Sequence, residues 1–426
     1  MKAVVLAAGE GTRLRPLTST RPKPLIRVGG KPILEHCLNA LKASGTEEAV
    51  IVVHYMGDLI RQYFGDGKKF GLKIEFVEQK EMFGTGNAVS VAEPFVKDEF
   101  LLVYGDLLFS AEAVKNVVSL YQAEKPVAAM AVVPVEKPES YGIVELENEK
   151  QVKRIVEKPK REEAPSNLAN AGVYVFSPEI FAKIKETSAS TRGEWEITDA
   201  ISLLLAEKKP FLAVKISRDD WFDVGRPWDL LEANRWMLMR MNHKVLGKIE
   251  NGAHLVGPVT VAETARIRSG AYIEGPTFIG EESDVGPNCF IRPYTSIGNK
   301  VRIGNACEVK ASIIMDGVHI GHLSYVGDSV LGEKCNLGAG TVTGNYRLDA
   351  GTIKMKVKEE VVDSGRKKLG AILGDNVKTG IDALLMPGVK VGCNSWVGPN
   401  VVVYRDVPAD TAVVLKQSLE ERKLKP

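Results

Sequence analysis

Cysteine is scarce in this 426-residue chain. Its five cysteines, Cys37, Cys289, Cys307, Cys335 and Cys393, are odd in number and scattered, with no CxxC spacing. That excludes a disulfide framework or a zinc site and fits reduced thiols, hence a cytoplasmic protein. Charge of one sign is missing as well: 56 Lys plus Arg face 54 Asp plus Glu, a formal net charge of +2. The near-balance argues against bulk binding to nucleic acid or to an anionic membrane, and leaves room for a local basic pocket. Long apolar runs are absent too; none approaches the ~20 residues that span a bilayer. The opening MKAVVLAAGEGTRL is a short apolar run followed at once by glycines and arginines, so it reads as a first strand and not as a secretory signal. What remains is 44% hydrophobic and 26% charged, the composition of a globular protein with a real core. The length suits two or three domains.

The chain has two grammars. Up to about residue 228, short apolar runs alternate with helical patterns: Ala3–Ala7, Ala49–Tyr55, Lys73–Gln79 and Phe100–Asp106 read as strands, Ile33–Ala43 as a helix. Such alternation predicts an α/β domain whose sheet is covered on both faces, with ligands at the carboxyl ends of its strands. From residue 251 the period changes. Leu255, Val261, Ile267, Ile273, Ile279, Val285, Ile291, Ile297, Ile303 and Val309 stand six apart without a miss, and Gly280, Gly286, Gly298 and Gly304 directly follow such positions. The phase slips near Met315–Ile320 and returns at Leu385, Val391, Val397 and Val403. A six-residue period means one flat side per repeat and three sides per coil, a parallel β-helix over 251–410. Arg226–Leu246 reads as a connecting helix, so 229–250 is taken as the linker. Tyr346–Lys368 breaks the period and reads as an extruded loop. Residues 411–426 read as a terminal helix or a tail.

Candidate chemistry in the first half lies in loops after strands. Ala7-Ala8-Gly9-Glu10-Gly11-Thr12-Arg13 follows the first strand, then Pro22-Lys23-Pro24. Glycines let backbone amides approach a phosphate chain, and Arg13 and Lys23 can neutralise it. The spacing is neither GxGxxG nor a P-loop, and taken alone it could be a tight turn with solvated charges. Gln79 and Gly84-Thr85-Gly86 form a second glycine turn that could hold a base by its edge. Asp106 ends an apolar strand, where a carboxylate suits a divalent cation or equally caps the next helix. Glu157-Lys158, Asn170 and Asp223 stand beside other strand ends.

Together these residues resemble the sugar-1-phosphate nucleotidyltransferase family over 1–230, the wording LAAGEGTRLRPLT…RPKPL being most similar to its thymidylyl- and uridylyltransferase branch. The resemblance implies that Gly9, Gly11, Thr12 and Arg13 receive the phosphates of UTP or dTTP with Lys23 beside them. Gln79, Gly84 and Thr85 would hold the base, and Asp106 and Asp223 Mg²⁺. Gly142, Glu157 and Asn170 would contact the sugar, Lys158 its phosphate.

The second half carries Ile291-Arg292-Pro293, Glu308-Val309-Lys310, GHLSYVGD at 321–328, NLGAGT at 336–341 and Asn345-Tyr346. These stretches resemble the acetyltransferase domain of the bifunctional N-acetylglucosamine-1-phosphate uridyltransferases, a left-handed β-helix of hexapeptide repeats. The two motif sets in one chain look like the archaeal-type bifunctional enzyme. A histidine in a repeat protein is more often a surface residue; here its neighbourhood implies that His322 is the base that deprotonates the sugar amine attacking acetyl-CoA. Arg292 and Lys310 would bind the sugar phosphate. Tyr325, Asn336, Asn345 and Tyr346 would meet the sugar or acetyl end, with Glu308 orienting His322. The turn at Gly338-Ala339-Gly340 would donate to the oxyanion. Trimers formed through the β-helix are implied as well. The bacterial bifunctional enzymes it resembles carry a lysine soon after the Asn-Tyr pair, where this chain has Arg347-Leu348-Asp349-Ala350-Gly351; the nearest lysines are Lys354 and Lys356, and a basic cluster follows at Arg366-Lys367-Lys368. Two other readings stay open: a monofunctional glucose-1-phosphate thymidylyl- or uridylyltransferase with a structural β-helix, and a non-catalytic scaffold.

Overall fold

The computed structural model describes residues 1–189 and 193–424, so the last two residues of the expected tail lie outside it. The chain divides into two compact units. The first comprises Met1–Gly11, Arg21–Ile26 and Lys31–Val224; the second takes Thr12–Thr20 and Arg27–Gly30 together with Gly225–Pro426.

The first unit is built on a mixed sheet. Its path runs Val152–Glu157, Gly142–Leu146, Leu168–Phe176, Phe100–Tyr104, Lys2–Ala7, Glu48–Val53, Lys73–Glu78, and Ala128–Pro134 joins Leu168–Phe176 to Phe211–Lys215. Lys2–Ala7 pairs in parallel with Phe100–Tyr104 on one side and Glu48–Val53 on the other. The strand order therefore reverses at the first strand, which opens a crevice at its carboxyl end. Continuous apolar strands such as Val4, Val5, Val50 and Ile51 are wholly buried because helices cover both faces. The helix Ile33–Ala43 forms where its spacing predicts it.

The second unit is a left-handed parallel β-helix of three sheets with nine, eight and seven strands. Ile273 pairs with Ile291 and Ile291 with Val309, each aliphatic stacking on its counterpart one coil along. At Ile297–Ile314 and Ile303–Ile320 the step shortens by one residue, which is the phase slip read near Met315. Leu331 then pairs with Leu373, because the intervening segment leaves the coil. That segment is more than a loop: Lys354–Val357 and Glu360–Asp363 form an antiparallel hairpin closed by the Tyr346–Lys368 bridge.

Three boundaries differ from the sequence reading. The connecting helix is Asp229–Arg240, not Arg226–Leu246: Pro227 stands outside it, and Met241 is extended at ψ 139°. Coil strands begin at Lys248, within the expected linker, directly after Gly247. A Cβ at Gly247 would lie 2.5 Å from the carbonyl oxygens of Ala262 and Ala265, so only glycine admits this start. The last coil strand is Ala412–Val413, beyond residue 410, and no helix follows among the described residues.

Asn234, fully buried on the helix Asp229–Arg240, accepts from Gly29 N at 2.7 Å and donates to Tyr294 O at 2.9 Å. Asn234→Ala strands a buried backbone donor and a partly buried acceptor, a buried group being worth ~1–3 kcal/mol when unpaired. The expected outcome is a loss of about 2–4 kcal/mol in the unfolding transition of this unit, measured in denaturant against wild type.

All five cysteines are buried and unpaired in disulfides. Burial raises the Cys37 and Cys307 thiols and pushes Cys289 up to about 12, so these are packing groups and not nucleophiles. No helix of the described residues is long and apolar enough to cross a membrane.

Candidate active sites

In the first unit, a two-stranded ribbon does the positioning. Leu107–Phe109 pairs antiparallel with Trp221–Asp223, with Asp223 opposite Leu107. Asp106 precedes Leu107, so the register sets Asp106 and Asp223 side by side although they are far apart in sequence. Both face Lys23: its Nζ donates to Asp106 Oδ2 at 2.7 Å and lies 4.0 Å from Asp223 Oδ1. Lys23 is 7% exposed. Two carboxylates converging on one ammonium are a place where a divalent cation fits. Among the described residues no three His, Cys, Asp or Glu cluster as a complete metal site. Phosphate oxygens and waters would complete the shell, as is usual for Mg²⁺.

Gly9 has open space where a Cβ would project, and Gly11 adopts φ +68°. Thr12 and Arg13 stand in the short 3₁₀ turn Thr12–Leu14, which belongs to the second unit, with Arg13 exposed. Gln79 is buried, and its Nε2 donates to Gly84 O at 3.2 Å and Asn87 Oδ1 at 2.8 Å. Gln79 therefore pins the Gly84 turn, which sits against the Trp195 backbone: a Cβ on Gly84 would lie 2.7 Å from Trp195 O, and φ there is +97°. Thr85 Oγ1 caps the segment from the other side by accepting from Ile197 N at 3.0 Å.

The sugar-side residues share neighbouring strands. Gly142 pairs with Glu157, and a Cβ on Gly142 would meet Glu157 Oε2 at 2.9 Å. Lys158 takes φ 45° and its Nζ lies 3.1 Å from Glu157 Oε1. Asn170 Oδ1 accepts from Gly172 N at 2.9 Å and its Nδ2 bonds Tyr174 Oη. Burial raises the Tyr104 and Tyr174 phenols, so both stay neutral.

In the second unit, a chain of polar groups runs along one sheet. Lys310 Nζ donates to Asp328 Oδ2 at 2.8 Å, and Asn345 Nδ2 donates to the same oxygen at 2.6 Å and to Tyr325 Oη at 3.0 Å. Burial raises the Tyr325 phenol, which keeps it a neutral donor. Gly327 makes room for the pair: a Cβ there would lie 2.4 Å from Tyr325 Oη and 2.6 Å from Asn345 Nδ2. Arg292 Nη1 donates to Glu308 Oε1 at 3.0 Å. Among the described residues the Glu308 carboxylate pairs with Arg292 and makes no ion pair with His322, the residue it was expected to orient.

His322 is exposed at the end of the strand His319–His322, on the adjacent sheet, and Asn336 lies on the next strand of that sheet. Gly338 N–H is used inside the coil by Thr379, which leaves the Ala339 and Gly340 amides without a partner among the described residues. Tyr346 is half exposed at the base of the hairpin, and Lys354 is exposed on its first strand. Thus Lys310, Tyr325 and Asn345 are joined through Asp328 and one another, and Arg292 and Glu308 form a separate pair on neighbouring strands, while His322, Asn336, Tyr346 and Lys354 are joined to neither. Asp328, the hub of the network, was missed as a functional residue although it ends the GHLSYVGD stretch. Its signal is a carboxylate in a coil that is only 4% exposed, at φ 49°.

Comparison with known proteins agrees with both halves. Residues 2–239 match the nucleotidyl transferase family and residues 273–385 the GMPPB C-terminal domain. The chain is 46% identical over 425 residues, covering 100% of both chains, to the bifunctional protein GlmU of Methanocaldococcus jannaschii. It is 41% identical over 412 residues to a bifunctional sugar-1-phosphate nucleotidylyltransferase/acetyltransferase of Sulfurisphaera tokodaii, covering 96% of this chain and 98% of that one. Among solved structures, a UDP-glucose pyrophosphorylase complexed with UDP-glucose is 28% identical with a TM-score of 0.51, covering 56% of this chain and 99% of the other. With a family match over more than half its length and full-length relatives of this kind, the chain belongs to the nucleotidyl transferase family, among its bifunctional GlmU proteins.

Proposed function

We propose that the chain catalyses two consecutive steps: acetyl-CoA-dependent N-acetylation of glucosamine 1-phosphate, then uridylyl transfer from UTP to the N-acetylglucosamine 1-phosphate, giving UDP-N-acetylglucosamine and pyrophosphate. The observation that carries the reading is the Lys310–Asp328–Asn345–Tyr325 network. A β-helix that served only as a scaffold would have little use for a partly buried polar chain that converges on the buried Asp328 carboxylate and ends at its surface.

In the first step the sugar amine attacks the thioester carbonyl, His322 takes the amine proton, and the C–S bond breaks to release the thiol. Ala339 and Gly340 supply the free amides for the oxyanion. In the second step the nucleophile is a phosphate oxygen that is already ionised, so no general base is needed. What opposes reaction is repulsion between that anion and the α-phosphate of UTP, with pyrophosphate as leaving group. Lys23 reduces this repulsion, and Gly9 and Gly11 let the backbone close on the phosphates. Asp106 and Asp223 would hold Mg²⁺, which supplies further charge neutralisation when bound. Gln79, through the Gly84 turn, would shape the base pocket. The part assigned to Arg13 rests on the family resemblance. Assembly as a trimer through the coil and a cytoplasmic location go with this reading.

The test is a paired assay on purified protein: thiol release from acetyl-CoA with glucosamine or galactosamine 1-phosphate, and pyrophosphate release from UTP with N-acetylglucosamine 1-phosphate. Both activities are expected, the first strictly dependent on an amino sugar. Pyrophosphate without thiol would leave the β-helix a scaffold and favour the monofunctional reading.

A further inference from the structure

A cleft of about 320 Å³ opens beside the polar network, wholly within the second unit. Two of its walls come from outside the coil. Arg235 projects from the helix Asp229–Arg240, and Arg366 comes from the return arm of the hairpin that interrupts the repeats. With Arg292 and Lys310 they make four cations, against the two carboxylates Glu232 and Asp328 that also line the cleft. Glu308, the partner of Arg292, is not among the lining groups. Glu308 still pairs with Arg292 from outside the lining, so the surplus is one to two positive charges, which favours a phosphate monoester of about −1.5 to −2 at neutral pH.

The cations are held in place before any ligand arrives. Asp328 fixes Lys310, Glu308 fixes Arg292, and Glu232 pairs with Arg366, whose Nε also donates to Lys368 O at 3.2 Å. Arg366 is further positioned by its own backbone: its N–H donates to Ser364 Oγ at 3.1 Å, and its carbonyl accepts from Ile353 N at 2.8 Å. Arg235 has no carboxylate partner among the described residues; its guanidinium lies over the Tyr294 ring at 4.6 Å. That stacking holds the planar fork while leaving its N–H groups to a ligand.

We propose that Arg366 and Arg235 are specificity residues of the acetyltransferase site, completing with Arg292 and Lys310 a phosphate clamp for the amino-sugar 1-phosphate. On this reading the hairpin exists to return Arg366 to the coil. The inference rests on the acetyltransferase function proposed above.

The experiment measures thiol release against glucosamine 1-phosphate at saturating acetyl-CoA, for wild type and for Arg366→Gln, Arg366→Lys, Arg235→Gln and Glu232→Gln. Loss of a charged hydrogen-bonding partner is expected to raise KM for the sugar phosphate by about ten- to a hundredfold in Arg366→Gln, with kcat within about threefold. Arg235→Gln is expected to move the same way, by about three- to tenfold. Arg366→Lys, which keeps the charge but not the planar fork, should recover part of the loss. Inorganic phosphate should inhibit wild type competitively with the sugar phosphate and inhibit Arg366→Gln less. Glu232→Gln separates a ligand contact from a structural ion pair. Both it and Arg366→Gln break the same pair, but removing the carboxylate should lower KM by about two- to fivefold. Pyrophosphate release in the same molecules reports that the chain is folded.

Opposite shifts in the two variants support the clamp. KM unchanged in Arg366→Gln, a fall in kcat alone, or equal increases in KM for Arg366→Gln and Glu232→Gln would overturn it while leaving the acetyltransferase reading intact. Absence of thiol release in wild type would instead remove that reading, and the clamp with it.

Discussion

His322→Ala is expected to lower thiol release from acetyl-CoA by about 10²–10⁴-fold, the usual range for loss of a general base. Pyrophosphate release from UTP should be unchanged. The imidazole is held by its backbone more than by its ring. Ser324 Oγ donates to His322 O at 2.7 Å, and the strand His319–His322 is paired on both sides, with Asn305 opposite His322. Among the described residues no carboxylate reaches the ring, since Glu308 is taken by Arg292. A base without an orienting carboxylate acts by position and exposure. Glu308→Gln should therefore act through Arg292, raising KM for the sugar phosphate and leaving kcat and its pH profile near wild type. If Glu308→Gln instead reproduced the His322→Ala loss in kcat, the assignment of Glu308 to Arg292 would fail. Retention of more than a third of the wild-type rate in His322→Ala would show that solvent takes the proton.

The β-helix was legible because six-residue periodicity is a direct image of its three-sided coil, and Ile273, Ile291 and Val309 stack as their spacing requires. The one-residue shortening at Ile297–Ile314 was visible as a slip of phase, though its cause, a coil shorter by one residue, was not. Where the chain leaves the repeat, sequence has no ruler. The hairpin Lys354–Asp363 read as a charged loop because its alternation is short and mostly polar, and nothing local says that Arg366 returns to the coil beside Arg235. The connecting helix was drawn too long for a related reason. Met241, Val245 and Leu246 continue an apolar pattern, but Val245 already bridges to Val261 as part of the first coil. In the first half the strand ends pointed to Lys23, Asp106 and Asp223, while the cross-strand pairing that sets the two aspartates side by side is a property of the folded ribbon. Glu308 shows the same limit: the family resemblance offered it to His322, and in the fold its carboxylate pairs with Arg292.

Asp106→Asn should reduce pyrophosphate release by about 10²–10³-fold, the scale seen when one charge-stabilising group is removed from a transition state. The argument starts from Lys23. Its ammonium is almost fully buried and donates to Asp106 at 2.7 Å, with Asp223 at 4.0 Å as the second negative neighbour. A buried cation needs a partner, and the two carboxylates hold the Lys23 ammonium in place before the nucleotide arrives. With UTP bound, its phosphates would share the Lys23 ammonium, and Asp106 and Asp223 would be the residues to hold Mg²⁺. Asparagine at 106 keeps the shape and one acceptor oxygen but removes the charge. The variant should then need more Mg²⁺ for half-maximal rate, a shift that a purely structural defect would not produce. Asp223→Asn should shift Mg²⁺ dependence in the same direction, since the ribbon gives both carboxylates to one point. Thiol release, carried by residues of the other unit, should stay at wild-type level and certify that the chain is folded. If pyrophosphate release fell while the Mg²⁺ dependence stayed fixed, Asp106 would be a partner of Lys23 alone and the metal would have to be held elsewhere.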